Sequence, residues 1–460
     1  ISALGAIRDA RAVPALTLAL ESQEADVCQE AAGALAKIGK PAMPVLLTAV
    51  THAQAGVRAK AAEGLGGVDA HAAIPALTAA LADDNDGVRA AAISALGAHG
   101  KTAFDALVGA LKSPDAGVRL RAVQALGEIG DARAIPALAP MINADGDGNV
   151  RREIYKALVA INDPAATDPL IVAATKDGDG WRRVEAIRAL ATFKSDASVE
   201  AMLGAIKDGF GPARGQAAVT LGVYGAAKAE EPILAMLKDG DAYARNGAAR
   251  GAGGLKSATA VELLIAQLDD PTDWARPNAA WALGQIGDAA AIAPLIAALG
   301  NDYPQLRLAA ARALGAFDDP RVVEALITAV LEGDSHVRVA AADNLGALKT
   351  PEATDALLTA LGEPDAALRA AAAKALVGVD DARIPAAFDN ALERNDLAVL
   401  AAAARYFVAR GTAGSEPALI AALGQYGDRD TALLFFYSGH KPLADAAVAW
   451  AAARKDAAPT

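Results

Sequence analysis

Cysteine is almost missing from this chain. Cys28 is the only one among 460 residues, which excludes an internal disulfide and any zinc site built on cysteines. Aromatic residues are scarce at 4%, and the 53% hydrophobic content is mostly alanine, so the two to four large-cored domains that such a length ordinarily suggests do not follow. No apolar run approaches the roughly 18 residues of a membrane-spanning helix. Positive charge is also in deficit: the net charge of -12 opposes an extended nucleic-acid surface, because neutralising phosphates needs clustered Lys and Arg. The chain opens on Ile1, with no charged-then-apolar leader. ISALG reads like the end of a helix met many times later, so the expectation is a longer protein, with any signal or anchor upstream of Ile1.

What is present is a period. GVRAKAAEGLGGV, GVRAAAISALGAH, GVRLRAVQALGEI and HVRVAAADNLGAL align without gaps. One column is arginine: Arg58, Arg89, Arg119, Arg151, Arg183, Arg214, Arg245, Arg276, Arg307, Arg338 and Arg369, at spacings of 31, 30, 32, 32 and then 31 six times. Seven residues on runs a leucine column that includes Leu65, Leu126, Leu283 and Leu376. Each repeat carries a second element such as AIPALTAAL, often marked by a proline, as at Pro14, Pro44, Pro75 and Pro136. Both elements have apolar positions three and four apart, so each is an amphipathic helix, and Gly-Asp joints punctuate them. A pair of short helices cannot bury its apolar face alone, whereas stacked pairs share one continuous core.

The proline in the first helix, the Asp in the turn and the Val-Arg opening of the second helix resemble the short HEAT-like repeats of phycobilin lyase subunits and bacterial scaffold proteins. The resemblance spans roughly residues 1–425. It implies an all-α, right-handed α-solenoid of about thirteen helix hairpins: residues 1–13 end a preceding repeat, 14–414 form the solenoid, and 415–460 form a helical C-terminal cap and frayed tail. Ankyrin and tetratricopeptide repeats lack a match in period and marker residues.

Asp115, Asp147, Asp179, Asp241, Asp334 and Asp365 each stand four residues before the column arginine. That places an N-cap acceptor at the helix start and an Asp-Arg pair across its first turn. The arginine column reads as a structural ladder joining turns and neighbouring repeats. Cys28 replaces arginine in the first full repeat and Leu400 in the last, as terminal repeats are commonly atypical.

In HEAT-like solenoids the Val-Arg helix generally lines the concave side. Counting the residue before the column arginine as zero, positions 0, +4, +7 and +8 are buried, and -1, +3, +6 and +10 form the opposite stripe. In DPTDWARPNAAWALGQIGD that stripe is Trp274, Asn278, Trp281 and Gln285, one face of a helix. Tyr243 and Trp181 share the -1 position, and Arg188, Arg250 and Arg312 share +6. Aromatics and arginines dominate interaction hot spots, so these nine residues are the expected partner-binding strip, with packing between helices as the alternative. Their basic character inside an acidic protein points to an acidic protein segment as ligand.

Sites with a chemical look are few. NADGDGNV and KDGDGWRR carry alternating acids of the calcium-loop kind, but in the first, position twelve is Ile154 and Glu153 falls one residue early. The histidines His52, His71, His99, His336 and His440 are scattered, and none precedes a glutamate, unlike the iron-binding pairs of the HEAT-like deoxyhypusine hydroxylase. No glycine-rich phosphate loop or nucleophile motif is present. The reading is therefore a non-enzymatic scaffold with a protein partner, no cofactor, no metal and no nucleic acid. The alternatives are a chaperone-like maturation factor related to bilin lyases and a nucleic-acid binder. The aromatic tail, with Phe435, Phe436, Tyr437 and Trp450, suits a cap sealing the last repeat, and resembles ends of bacterial HEAT-repeat proteins. It inclines the expected location toward a bacterial envelope over the cytoplasm.

Overall fold

A computed structural model describes residues 1–393, 396–410 and 416–455, and every regular element among them is a helix. The fold is an all-α solenoid. After the short helix Ser2–Ile7, thirteen helix pairs follow, from Val13–Ala19 with Ala25–Ile38 to Ile384–Glu393 with Leu397–Arg410. Glu416–Tyr426, Arg429–Phe436 and Lys441–Lys455 complete the described chain. The expected frayed end, from residue 456 on, lies outside the described residues.

In eight of the pairs the first helix is entered through a 3-10 turn, and most of these helices are short. In the fifth pair, the Asp131 side chain caps Ala132–Ala134, and Ile135–Leu138 follows with Pro136 in its first turn. Proline suits that position, where its missing N–H has no intrahelical acceptor and its φ is already helical. Second helices run 11 to 14 residues in most pairs. Asp115, Asp147, Asp179, Asp241, Asp334 and Asp365 cap them by accepting backbone N–H bonds. Such a cap is worth about 1 kcal/mol. Gly130 and Gly287 end their helices in the left-handed region, at φ 68° and 75°, where glycine carries no Cβ penalty.

The core is laid down in columns. Leu65, Leu96, Leu126, Leu158, Leu190, Leu221, Leu283, Leu314, Leu345 and Leu376 are all fully buried, facing first-helix leucines such as Leu16, Leu46, Leu107 and Leu264. Replacing one by alanine costs roughly 2–5 kcal/mol. Second helices of successive repeats approach through small residues. A Cβ on Gly127 would stand 2.9 Å from the Ala157 Cα, and one on Gly284 2.9 Å from the Ala313 Cα. The +9 glycine of one repeat thus seats on the +7 alanine of the next.

The chain divides into two compact units, Ile1–Tyr224 and Gly225–Thr460. Both use this plan. In the first, Cys28 is fully buried, its Sγ 3.1 Å from the Ser22 carbonyl six residues back, where later repeats place an arginine. In the second, the pair carrying Leu400 is held by a cluster of Phe388, Tyr406 and Phe407 rings, with Arg410 stacked 4.0 Å over Tyr406. Phe435 is buried, whereas Phe436 and Tyr437 stay exposed.

Candidate binding surface

The column arginines are engaged. Arg119 places Nε 2.7 Å and its second amino group 2.8 Å from the two Asp145 oxygens, while its other amino group bonds the Ser113 and Pro114 carbonyls at 2.9 and 3.1 Å. Arg58 with Asp83, Arg183 with Asp208, Arg245 with Asp270 and Arg369 with Asp396 repeat this bidentate pairing, 25 to 27 residues apart. Arg89 reaches Asp115, Arg307 reaches Asp334, and Arg338 reaches Glu363. These partners belong to the next repeat. The expected pairing across the first turn, four residues back, is replaced by a rung between repeats, because the guanidinium lies along the turn carbonyls and its fork opens onward. Arg276 differs, bonding the Asp270 carbonyl and pairing with Asp273. Arg151 bonds the Asp145 carbonyl, and Arg214 the Asp208 carbonyl. The Arg119 hydrogen bonds hold the Asp145 carboxyl below the usual carboxylate range, against the opposing effect of burial.

The acids of the calcium-like segments have the same employment. Asp145 is the acceptor of Arg119, and Asp147 and Asp179 cap helices. Among the described residues no group of three or more metal-ligating side chains gathers.

The aromatic strip is distributed over both units. In the first, Trp181 is 57% exposed, its ring meeting Phe210 edge-on at 5.2 Å, and Arg188 is exposed but paired with Glu185 one turn earlier. In the second, Tyr243, Trp274 and Trp281 are 51%, 41% and 39% exposed. The Tyr243 and Trp274 rings lie 4.9 Å apart, and Trp281 rests over Gly253 of the preceding repeat, where an added Cβ would stand 2.7 Å from its ring. Each ring in the strip is thus supported by a neighbour and still presents surface. Gln285, Arg250 and Arg312 are exposed. Asn278 is half-buried and donates to Asn246 Oδ1 at 2.9 Å, a partner outside the expected set.

The three arginines at +6 are not equivalent. Arg188 is neutralised on its own helix, whereas among the described residues no ion pair or hydrogen bond engages Arg250 or Arg312. The second helices Ala242–Leu255, Arg276–Ile286 and Pro304–Leu314 contain no Asp or Glu. The signal for this was present in the sequence as the residue at +3: Glu185 before Arg188, but Gly247 and Ala309 before Arg250 and Arg312.

The repeat architecture matches the model of HEAT repeats over residues 13–97, 43–116, 104–186, 230–307 and 292–377, well over half of the chain. The chain belongs to the HEAT-repeat family. A HEAT-like repeat of the phycobilisome (PBS) lyase type also matches residues 1–22, and no curated protein matches the HEAT-repeat chain by sequence. Among solved structures it is similar to the karyopherin Kap121p bound to the SUMO protease Ulp1p, at 12% identity and a TM-score of 0.66, covering 96% of this chain and 60% of that one. Importin beta gives 16% identity and a TM-score of 0.56, covering 96% and 73%. The complex of CpcE and CpcF of phycocyanin lyase from Nostoc sp. PCC7120 gives 26% identity over 49% of this chain, at a TM-score of 0.34, too low to bear on fold or function. The HEAT-repeat chain spans 60 to 65% of the first karyopherins it matches. At these identities the likeness establishes the fold alone.

Proposed function

We propose that this HEAT-repeat protein is a non-enzymatic scaffold or adaptor that binds an acidic segment of a protein partner on its layer of second helices. The observation that carries this reading is the absence of Asp and Glu from the helices Ala242–Leu255, Arg276–Ile286 and Pro304–Leu314, with unpaired Arg250 and Arg312 and exposed Trp274 and Trp281 beside them. In a protein of net charge -12 such a surface attracts anionic segments that the acidic remainder of the chain repels. The close glycine-to-alanine seating of second helices supports their lying on the inner, concave side of each unit, since the layer with the shorter step lies inside a bend. A preformed layer also loses little entropy on binding. Solved complexes of Kap121p, whose partners include Ulp1p and Nup53p, give the fold a precedent for holding proteins.

The test is a peptide-display selection against the full chain and a Trp274→Ala, Trp281→Ala, Arg250→Ala variant of equal helicity and melting temperature. Enrichment of acidic peptides by the parent and not by the variant is expected. Equal enrichment by both would remove binding from this surface.

A further inference from the structure

The spacing of the unpaired arginines carries a reading of what they hold, and this inference rests on the function proposed above. Arg250 and Arg312 occupy the same +6 position two repeats apart, with Trp281 at +6 between them. Both steps are of the close kind: a Cβ on Gly253 would stand 2.9 Å from the Ala282 Cα, and one on Gly284 2.9 Å from the Ala313 Cα. Helices packed so tightly lie at the short end of the usual 8–10 Å axial separation, which puts the two guanidinium bases roughly 16–20 Å apart. An extended chain advances about 3.3 Å per residue. Two carboxylates that reach both arginines are therefore about five or six residues apart.

Between them the exposed face of Trp281 is an apolar platform held in place by Gly253. Near it the Asn246 and Asn278 carboxamides bond each other once at 2.9 Å. The Asn246 amide group and the Asn278 carbonyl oxygen remain for the backbone of a bound strand. Among the described residues neither Arg250 nor Arg312 has an ion-pair partner. The next +6 residues along the second unit, Asp343 and Lys374, pair with each other at 3.0 Å, so the anion-reading stretch ends after Arg312.

We infer that this surface reads an extended peptide of a partner protein in a fixed register: an acidic side chain on Arg250, an apolar one on Trp281 midway, and a second acidic one on Arg312. Arginine suits the two end positions because its fork engages a carboxylate through two parallel bonds. The central indole supplies area at small entropic cost.

Fluorescence polarisation on the full chain tests this with three fluorescein-labelled 12-residue Gly/Ser peptides. One carries two Glu six positions apart with Leu two and four positions after the first, on the same face of an extended strand, one has the same composition with the Glu adjacent, and one has Lys in place of each Glu in the first spacing. The spaced acidic peptide is expected to bind about tenfold more tightly than the adjacent one and to change tryptophan fluorescence. Arg250→Glu and Arg312→Glu, both at exposed positions, should each weaken it about tenfold, and the double variant should gain the Lys peptide. Arg188→Glu, whose parent arginine is already paired, should change little. Equal affinity for the spaced and adjacent peptides overturns the register, and if display selection still enriches acidic peptides through this face, the proposed function stands without it. Tighter binding of a 20-nucleotide single-stranded DNA than of any peptide overturns both.

Discussion

The second helices of the two units share one frame and differ in how the charges at +6 are met. In the first unit every charged residue at +6 has an opposite charge three residues earlier on its own helix: Glu63 with Lys60, Lys156 with Glu153, Arg188 with Glu185. In the second unit, Gly247 and Ala309 leave Arg250 and Arg312 without that partner. Surface pairs of this kind contribute a few tenths of a kcal/mol to stability. Their larger effect is on what the surface offers to other molecules. A neutralised face is a solvated wall, and the same face without its acids is a field with a sign.

The shared frame can be broken first. Arg119→Ala and Arg245→Ala would each leave a carboxylate, Asp145 or Asp270, whose side chain is only 3% exposed. The loss should be about 3 kcal/mol in either unit, read from urea or thermal unfolding. A rung that cost nothing in one unit would mean the ladder is not common to both. Gly284→Val drives a side chain into the Ala313 backbone and should cost about 2 kcal/mol, with a change in tryptophan emission as the repeats around Trp281 part.

The comparison is sharpened by exchanging the +3 residues. Ala309→Glu gives Arg312 the partner that Arg188 has, and should weaken acidic-peptide binding about fivefold while leaving the melting temperature nearly unchanged. Glu185→Ala makes the reverse exchange and should raise acidic-peptide affinity in the first unit. If neither exchange moved binding, self-neutralisation would not be what separates the two surfaces.

The smallest effect concerns pH. The Asp145 carboxyl, held below its ordinary 3.8 by the Arg119 hydrogen bonds, contributes stability that is fully present above that value. It is lost as pH falls through the depressed one, because the unfolded chain then takes up the proton first. Acid titrations of stability should therefore show a shallower limb below about pH 4 for Arg119→Ala than for the parent. Arg250→Ala should leave that limb unchanged.

The repeats, the caps at Asp115 or Asp241 and the leucine column were legible in the chain because they are local: a period, a turn and a helix face need no knowledge of what lies 30 residues away. The stripe of Trp274, Trp281 and Gln285 was legible for the same reason, as the complement of the buried positions. Asp145 as the partner of Arg119 was not, since the nearer Asp115 offers the same chemistry four residues back. Nor was the support of Trp281 by Gly253, or the bond between Asn278 and Asn246. The Arg188 pairing lay within reach, as Glu185 is its neighbour on a single helix.

By itself the sequence determined the period, the helical character of both elements, the identity of the core columns and which side chains point away from them, all consequences of 3.6 residues per turn repeated every 31. Only the tertiary structure decided which turn each arginine reaches, how closely Gly284 and Ala313 bring their helices together and which exposed charges remain unpaired. Those depend on the step from one repeat to the next, which is set by side-chain volume and backbone approach between segments far apart along the chain.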